Sequence, residues 1–97
     1  MKSQTKVFSD ADLHFIALRF KILSEPSRLK ILKSLSHGEL CVTELISKTG
    51  LLQANLSKQL KILCENDFIT CRQQGLQRFY KIKDQEIFTI CNAICKN

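Results

Sequence analysis

Five cysteines are the most reactive side chains in this 97-residue sequence: Cys41, Cys64, Cys71, Cys91 and Cys95. Cys91 and Cys95 are four residues apart, so a helix through this segment would place both sulfurs on one face. Two neighbouring thiolates can bind a soft metal or metalloid ion, and they can also react with an oxidant or a persulfide donor. An ion would need a third ligand, from Cys41, Cys71 or a second subunit. The alternative is that both are small apolar residues buried in an interface, a common environment for free cysteine.

Motifs of the common enzyme classes are absent from the sequence. It contains no nucleophile elbow, no glycine-rich phosphate loop and no HExxH pattern, and its three glycines leave little room for a cofactor loop. His14 and His37 are isolated, which favours surface or hydrogen-bonded histidines over metal ligands. We therefore expect a binding protein rather than an enzyme. No cofactor is required and no metal site is assigned, although thiolates could bind a soft metal or metalloid ion.

A helix with one polar and basic strip is predicted between Thr49 and Leu63 (TGLLQANLSKQLKIL). At about 100° per residue, Leu56, Leu60 and Leu63 share one face. The opposite strip has small polar and basic side chains and no carboxylate, at Ala54, Ser57, Lys58 and Lys61. Such a strip can approach phosphates and base edges without like-charge repulsion. This pattern favours nucleic-acid binding over the alternative, an ordinary amphipathic surface helix.

A second short helix, predicted over Val42–Lys48, precedes this segment and is separated from it by residues 49–52. Gly50 suits the left-handed position that ends a helix. A turn of three or four residues sets two helices at roughly 90–120° to one another. The two helices and their turn therefore predict a helix-turn-helix.

A β-hairpin is predicted over Phe68–Ile82, where two runs rich in aromatic and β-branched residues flank a polar turn centred on Gln74 and Gly75. Polar and basic side chains occupy its tip and flanks, at Arg72, Gln73, Gln74, Gln77 and Arg78. Such a hairpin could lie against the DNA backbone or minor groove as a wing. A hairpin that only caps the core is the alternative.

The composition agrees with a small DNA-binding domain. A formal net charge of +6 and a pI near 9.2 supply the sequence-independent part of DNA affinity. No run approaches the ~18 apolar residues of a membrane span, and MKSQTKVFSD lacks the apolar core of a signal peptide. We expect a cytoplasmic protein with no membrane partner. Residues 1–97 are predicted to form one domain with apolar surface left for a partner to cover.

Both ends of the chain are predicted to be apolar helices that bind a second subunit. Ser9, Asp10 and Asp12 mark the start of the first, about residues 9–24, whose run LHFIALRFKIL is apolar on two sides. Asp84 can cap the last, about residues 84–96. The predicted interface residues are Leu13, Ile16, Phe20, Ile87, Ile90 and Ile94. A symmetric homodimer would place two DNA-reading helices roughly 34–36 Å apart on a palindromic double-stranded operator.

Between these helices, Ser24 is predicted to cap a further helix, with Pro26 near its first position. The segments FKILSEPSRLKILKSL, GELCVTEL, QANLSKQLKIL and CRQQGLQRFYKI follow in order. From about Leu13 to Cys95, the chain resembles the ArsR/SmtB family of winged-helix bacterial repressors. The resemblance implies a mainly α winged helix-turn-helix fold with five helices and a two-stranded wing. It also implies dimerisation through the first and last helices, and release from the operator when an inducer binds.

The resemblance further implies which residues contact DNA. By matching motif positions, Gln53, Ala54, Ser57 and Lys58 would face the major groove, and residues 72–78 would form the wing. The candidate DNA-binding residues are Gln53, Ala54, Asn55, Ser57, Lys58, Lys61, Arg72, Gln74, Gln77 and Arg78.

The chain departs from the sensing motifs of the family that it resembles. Cys41 lies in ELCVTEL, which is similar to the family's ELCVCDL metal box, but Thr43 replaces the second thiol. Glu86 stands where zinc-binding relatives have a histidine, and Lys33 stands where persulfide-sensing relatives have a cysteine. The candidate sensor thiols are therefore Cys91, Cys95 and Cys41. A non-cysteine inducer, the absence of an inducer, and a protein-interaction winged helix without DNA binding are the alternatives.

Overall fold

Five α-helices and one antiparallel sheet make up residues 7–95, the part of the chain that the computed structural model describes. The helices are α1 (Asp10–Leu23), α2 (Pro26–Ser34), α3 (Val42–Thr49), α4 (Gln53–Glu65) and α5 (Glu86–Ile94). The strands are β1 (Leu40–Cys41), β2 (Ile69–Gln74) and β3 (Gln77–Ile82), and a 3-10 turn covers Leu35–His37. This order confirms the predicted mainly α winged helix-turn-helix. The predicted last helix ran to Lys96, which lies outside the described residues.

The sheet has one strand more than the predicted two-stranded wing. β1 pairs antiparallel with β3, and β3 pairs with β2 on its other side. A two-residue strand is too short to show the alternation that identifies strands in a sequence. The hairpin turn is at Gly75 and Leu76, one residue later than predicted, because Gln74 pairs with Gln77. Gly75 has a φ of 64°, and glycine is preferred at the first of two turn positions when φ is positive.

Side-chain caps begin the first two helices. The Ser9 hydroxyl accepts a hydrogen bond from the Asp12 backbone N–H, and the Asp12 carboxylate accepts one from the Ser9 N–H, which completes a capping box for α1. Pro26 is the first residue of α2, as predicted. The cap of α2 is Glu25 and not Ser24, because the Ser24 hydroxyl instead donates to the Lys21 carbonyl at the end of α1.

The turn between α3 and α4 has the predicted left-handed glycine. Gly50 has φ 73° and ψ 7°, and its N–H donates to the Ile46 carbonyl at 2.9 Å. Thr49, 8% exposed, donates its hydroxyl to the Leu45 carbonyl and accepts a hydrogen bond from the Leu51 N–H. These bonds fix the direction in which α4 leaves the turn, so α4 begins at Gln53 with its polar strip outward.

The core lies between α2, α3, α4 and the base of the sheet. The predicted leucine stripe of α4 is confirmed, since Leu56, Leu60 and Leu63 are at most 2% exposed. Buried side chains from the other elements surround it: Ile31, Leu32, Leu35, Leu45, Phe68, Ile69, Tyr80 and Ile82. A helix anchored on this side must present its other side to solvent.

The terminal helices add little to this core, since α1 buries only Ile22 and α5 only Ile87 among the described residues. Ile87, one of the residues predicted for the dimer interface, is 8% exposed and packs in the core, and it also lines an apolar cleft between α1 and α5 with Phe20 and Ile90. Much apolar surface remains on these helices, with between 42% and 75% exposure at Leu13, Phe15, Leu18, Phe20, Ile90 and Ile94. None of the helices in residues 7–95 combines the length and apolar character needed to cross a bilayer.

Candidate nucleic-acid interface

The exposed side of α4 consists of Gln53, Ala54, Ser57, Lys58 and Lys61, which we call the polar face of α4. All five side chains are exposed, and the only acidic residue of the helix is Glu65 at its last position. No side-chain hydrogen bond caps the helix at Leu52, so no side chain caps the N–H groups of its first turn. Free N–H groups and the positive end of the helix dipole both favour a phosphate at this position.

Asn55, also a predicted DNA contact, lies at the edge of the polar face and is half-buried. Its amide oxygen accepts a hydrogen bond from Nε2 of Gln59 at 3.0 Å. Gln59 is 6% exposed, and it in turn accepts a hydrogen bond from Nε of Arg28 at 2.8 Å. Sequence reasoning missed Gln59 and Arg28. The Asn–Gln spacing of four residues was the only local signal.

The wing places its predicted DNA contacts on two different faces. Side chains alternate along a strand, and the register pairs Gln73 with Arg78 and Arg72 with Phe79. Arg78 therefore lies on the face that borders α4, where it lines a cleft of about 490 Å³ together with Ser57 and Lys61. By register, Arg72, Gln74 and Gln77 are on the opposite face, although Gln77, next to the turn, also lines a cleft with Gln53 and Arg78.

Arg72 is held by other residues of the protein. Its Nε and Nη2 bond the two carboxylate oxygens of Glu39, both at 2.8 Å, and its Nη1 bonds Oε1 of Gln74. The guanidinium also lies over the Phe79 ring, 4.7 Å from the centroid. The hydrogen bonds from Arg72 lower the pKa of the Glu39 carboxyl and raise the pKa of Arg72 itself. Glu39 was not identified from the sequence, because it is 33 residues from Arg72.

The unpaired cations of this surface lie on α4 and on β3. Within residues 7–95, the ion pairs join Arg72 to Glu39 and Lys83 to Asp67, and neither involves Lys58, Lys61 or Arg78. Gln53 and Arg78 also line a second cleft of about 360 Å³, with Gln77 and Leu76 from the hairpin. The polar face of α4 and the hairpin thus form the two sides of one concave basic surface.

The three candidate sensor thiols lie in two places. Cys41 is buried as the N-cap of α3, where its backbone N–H donates to Glu44 at 2.9 Å and this hydrogen bond lowers the pKa of Glu44. Cys91 is half-buried, and Cys95 is exposed just beyond the last residue of α5. Both line an apolar cleft of about 370 Å³ with Phe20 and Leu29. The described residues contain no cluster of three or more side chains that could hold a metal ion.

The other two cysteines lie on α4 and on the wing. Cys64 is half-buried near the end of α4, and burial raises the pKa of its thiol, which makes the thiolate scarcer at neutral pH. Cys71 is exposed on β2, directly across the sheet from Tyr80. Cys64 therefore packs behind α4. Cys71 lies on the surface of the hairpin.

Arg19 joins α1 to the end of α4 and was not identified from the sequence. Its Nη1 donates to the carbonyl of Asn66 at 2.6 Å, and its guanidinium lies 3.8 Å from the centroid of the Phe68 ring. Asn66 is the C-cap of α4, so this contact fixes a terminal helix to the helix that carries the polar face.

Comparison with known proteins agrees with this architecture. Residues 25–70 match the model for "Bacterial regulatory protein, arsR family". The arsenical resistance operon repressor of Staphylococcus aureus is 42% identical over 88 residues, covering 79% of this chain and 85% of the repressor. The repressor of the same name from Staphylococcus xylosus is 40% identical over 65 residues, covering 67% of this chain and only 62% of that protein.

A solved structure gives the same fold. The homodimeric winged helix-turn-helix DNA-binding domain of a Mycobacterium bovis protein, determined by NMR, superposes with a TM-score of 0.77 at 26% identity, covering 93% of this chain and 89% of that chain. The fold, the helix-turn-helix and the sequence relatives together show that this chain belongs to the ArsR family of bacterial regulatory proteins.

Proposed function

We propose that this protein is a transcriptional repressor that binds a palindromic operator as a homodimer. The observation that carries the proposal is the polar face of α4, which is basic, exposed and without a carboxylate. It lies beside Arg78 of the wing, which makes no ion pair within residues 7–95. Lysines on such a face neutralise phosphates, while Gln53 and Ser57 can hydrogen-bond base edges in the major groove. The small side chain of Ala54 allows the helix to approach the bases closely.

In this proposal the wing supports the helix from the side. Arg78 is the wing residue best placed to contact a phosphate together with Lys61, since both line the same cleft. Gln74 and Gln77 lie near the tip of the hairpin, where they could hydrogen-bond the backbone of the adjacent minor groove. Arg72 would reach a phosphate only by leaving Glu39.

The exposed apolar surface of the terminal helices supports the homodimer. Phe20 and Ile90, 50% and 42% exposed, line the same two apolar clefts between α1 and α5, and Leu13, Ile16 and Ile94 extend this surface. Burying such a patch against a second copy is favourable at about 25 cal/mol per Å². The Mycobacterium bovis domain, which has the same fold, is described as homodimeric. Two copies would present their α4 helices to successive major grooves, roughly 34–36 Å apart.

The signal that releases the operator is proposed to act on cysteines of the dimer surface. Two relatives are named as repressors of arsenical resistance operons, and arsenite is a thiophilic metalloid. Cys91 and Cys95 line a cleft next to Phe20, so a modification there would alter the packing of α1 against α5. Cys41, at the start of α3, is the second candidate. A protein with this function would act in the cytoplasm, where free thiols stay reduced.

The experiment that tests the proposed function is DNA selection followed by footprinting. Random-sequence duplexes are enriched on the purified protein, and the enriched sequence is compared with the promoter of its own operon. We expect a two-fold symmetric site with half-sites about one helical turn apart, bound by one dimer. Enrichment of no sequence, with binding that is weak and equal on all duplexes, would overturn the proposal.

A further inference from the structure

A chain of hydrogen bonds runs from α1 through α2 to the edge of the polar face of α4. Nη1 of Arg28 donates to the Ile22 carbonyl at 2.9 Å, and its Nε donates to Oε1 of Gln59 at 2.8 Å. Nε2 of Gln59 then donates to Oδ1 of Asn55 at 3.0 Å. Gln59 is 6% exposed, whereas Asn55 is half-exposed. This series of hydrogen bonds thus begins at the buried residue Ile22 and ends at the candidate DNA surface.

The donor–acceptor direction of this chain is fixed by chemistry. A guanidinium can only donate hydrogen bonds, whereas a carboxamide has one accepting end and one donating end. Arg28 therefore forces Gln59 to present its oxygen, which leaves the nitrogen of Gln59 for Asn55. Asn55 must then turn its own oxygen inward, toward Gln59, and its NH2 group outward. A buried amide group is costly to leave without a hydrogen bond. These orientations of the Gln59 and Asn55 amides are therefore strongly preferred over the flipped ones.

The outward NH2 group of Asn55 is available to a ligand. Among residues 7–95, Asn55 makes one side-chain hydrogen bond, and its amide oxygen makes it. Asn55 is the third residue of α4, next to the uncapped N–H groups of the first turn and one helical turn before Lys58. A free asparagine could rotate its amide to offer either an acceptor or a donor. Here only the donor is offered.

We propose that Arg28 and Gln59 are positioning residues that hold Asn55 as a hydrogen-bond donor toward one acceptor atom on the operator. The acceptor is a phosphate oxygen or a major-groove acceptor of a base, such as a purine N7. This inference rests on the proposed function, because it requires α4 to face DNA. It adds that the donor character of this DNA contact is set by a side chain that does not touch DNA, since Gln59 is buried.

Operator duplexes with single-atom changes test the proposal. One set of duplexes lacks a base acceptor at each position in turn, with 7-deazapurines, 2-aminopurine for guanine or 5-methyl-2-pyrimidinone for thymine. A second set replaces single phosphates by methylphosphonates. We expect one change to weaken binding of the parent protein by about 5- to 150-fold, the range for one good base contact. In the Asn55→Ala variant the same DNA change should have little further effect on binding. The duplex set that contains this change then identifies the acceptor as a base atom or a phosphate oxygen.

Gln59→Glu then tests the role of Gln59. The carboxylate still accepts from Arg28 but cannot donate to Asn55, so the Asn55 amide turns over and its NH2 points inward. The identified DNA change should lose its effect in Gln59→Glu, as it does in Asn55→Ala. The added charge also repels DNA. For duplexes that differ only in a base atom this repulsion is equal and cancels in the comparison; for a methylphosphonate, which removes one charge, the reference duplex carries its methylphosphonate at a neighbouring phosphate instead. Circular dichroism and thermal unfolding confirm that each variant is folded.

Two variants of Arg28 complete the test. Lysine is also a donor only, so Arg28→Lys should keep the sensitivity to the DNA change, whereas Arg28→Met should lose part of it because Gln59 becomes free to turn over. A folded Gln59→Glu variant that keeps the full sensitivity of the parent to the DNA change would overturn the inference. It would also be overturned if the parent binds its operator specifically but no single-atom DNA change has an effect that disappears in Asn55→Ala. A parent that selects no operator would instead overturn the proposed function.

Discussion

Arg72 and Glu39 form a two-point ion pair that joins strand β2 to the residue just before β1, with N–O distances of 2.8 Å at both points. The pair neutralises the charge of one of the two wing arginines that were predicted to contact DNA. A guanidinium that already bonds a carboxylate gains less from a phosphate, because the first pair must be broken. The effective basic charge of the wing is therefore lower than the sequence indicates.

Glu39→Gln should strengthen DNA binding by freeing Arg72. We expect a lower dissociation constant at low salt and, if Arg72 then reaches a phosphate, a log–log salt slope that is steeper by about 0.9 for each DNA-bound subunit. Fluorescence anisotropy between 50 and 200 mM salt, a range of about half a decade, measures both. Asp10→Asn adds the same charge on α1, where Asp10 is exposed. An equal gain in both variants would mean that only net charge changed and that Arg72 does not reach DNA.

Gly50→Ala should destabilise the protein through the backbone of the helix-turn-helix turn. Gly50 has a φ of 73°, and no atom lies within 4 Å of the position that a Cβ would occupy, so the cost is conformational and not a clash. We expect a loss of about 1 kcal/mol in the free energy of unfolding, or roughly 4–8 °C in the melting temperature at fixed protein concentration. Gly50→Asn should lose less, because asparagine tolerates this conformation. Equal losses in the two variants would contradict this explanation.

Phe20→Glu and Ile90→Glu should each separate the proposed dimer. Both side chains are about half exposed on the terminal helices, and a buried unpaired carboxylate in an interface costs far more than the apolar contact it replaces. Sedimentation at micromolar concentration should give a dimer for the parent and a folded monomer for the variants. Leu76→Glu, at the fully exposed tip of the hairpin, is the matched control and should stay dimeric. A monomeric parent would contradict the proposed interface.

Replacing Cys91 and Cys95 by serine should abolish the response to a thiol-directed signal. Operator binding is followed while arsenite, cadmium, polysulfide or peroxide is added. We expect one of these to weaken binding of the parent by about 5- to 150-fold, the range for a coupling of ~1–3 kcal/mol. Cys71→Ser, on the exposed hairpin, should respond like the parent. If the double variant still dissociates, Cys41 becomes the leading sensor. If the parent responds to none of the four reagents, the cysteines have a packing role and do not sense a signal.

Local rules of sequence predicted the helices and their ends well. The Leu56, Leu60 and Leu63 stripe, the left-handed Gly50 and the Ser9 cap all depend on residues within one or two helical turns. Their physical causes are periodicity, backbone freedom and capping, which act over short distances. For the same reason the surface of α4 was correctly predicted as exposed.

Contacts between distant residues could not be predicted in the same way. Arg28 and Gln59 are 31 residues apart, and nothing in the sequence near either one indicates the other. Ile87 lies on an apolar helix with more than one apolar side, and only tertiary packing decided that this residue enters the core. The two-residue strand β1 exists because β3 offers it hydrogen bonds, not because of its own composition.

Salt dependence of operator binding in Lys58→Ala tests most directly whether the polar face of α4 contacts DNA. Lys58 is exposed at the centre of this face and makes no ion pair within the described residues. If each subunit loses one phosphate contact, the log–log slope should become shallower by about 0.9 per bound subunit, with weaker binding at every salt concentration. Lys21→Ala, on the last turn of α1, should leave the slope unchanged. An unchanged slope and affinity in Lys58→Ala would contradict the assignment of α4 as the DNA-reading helix.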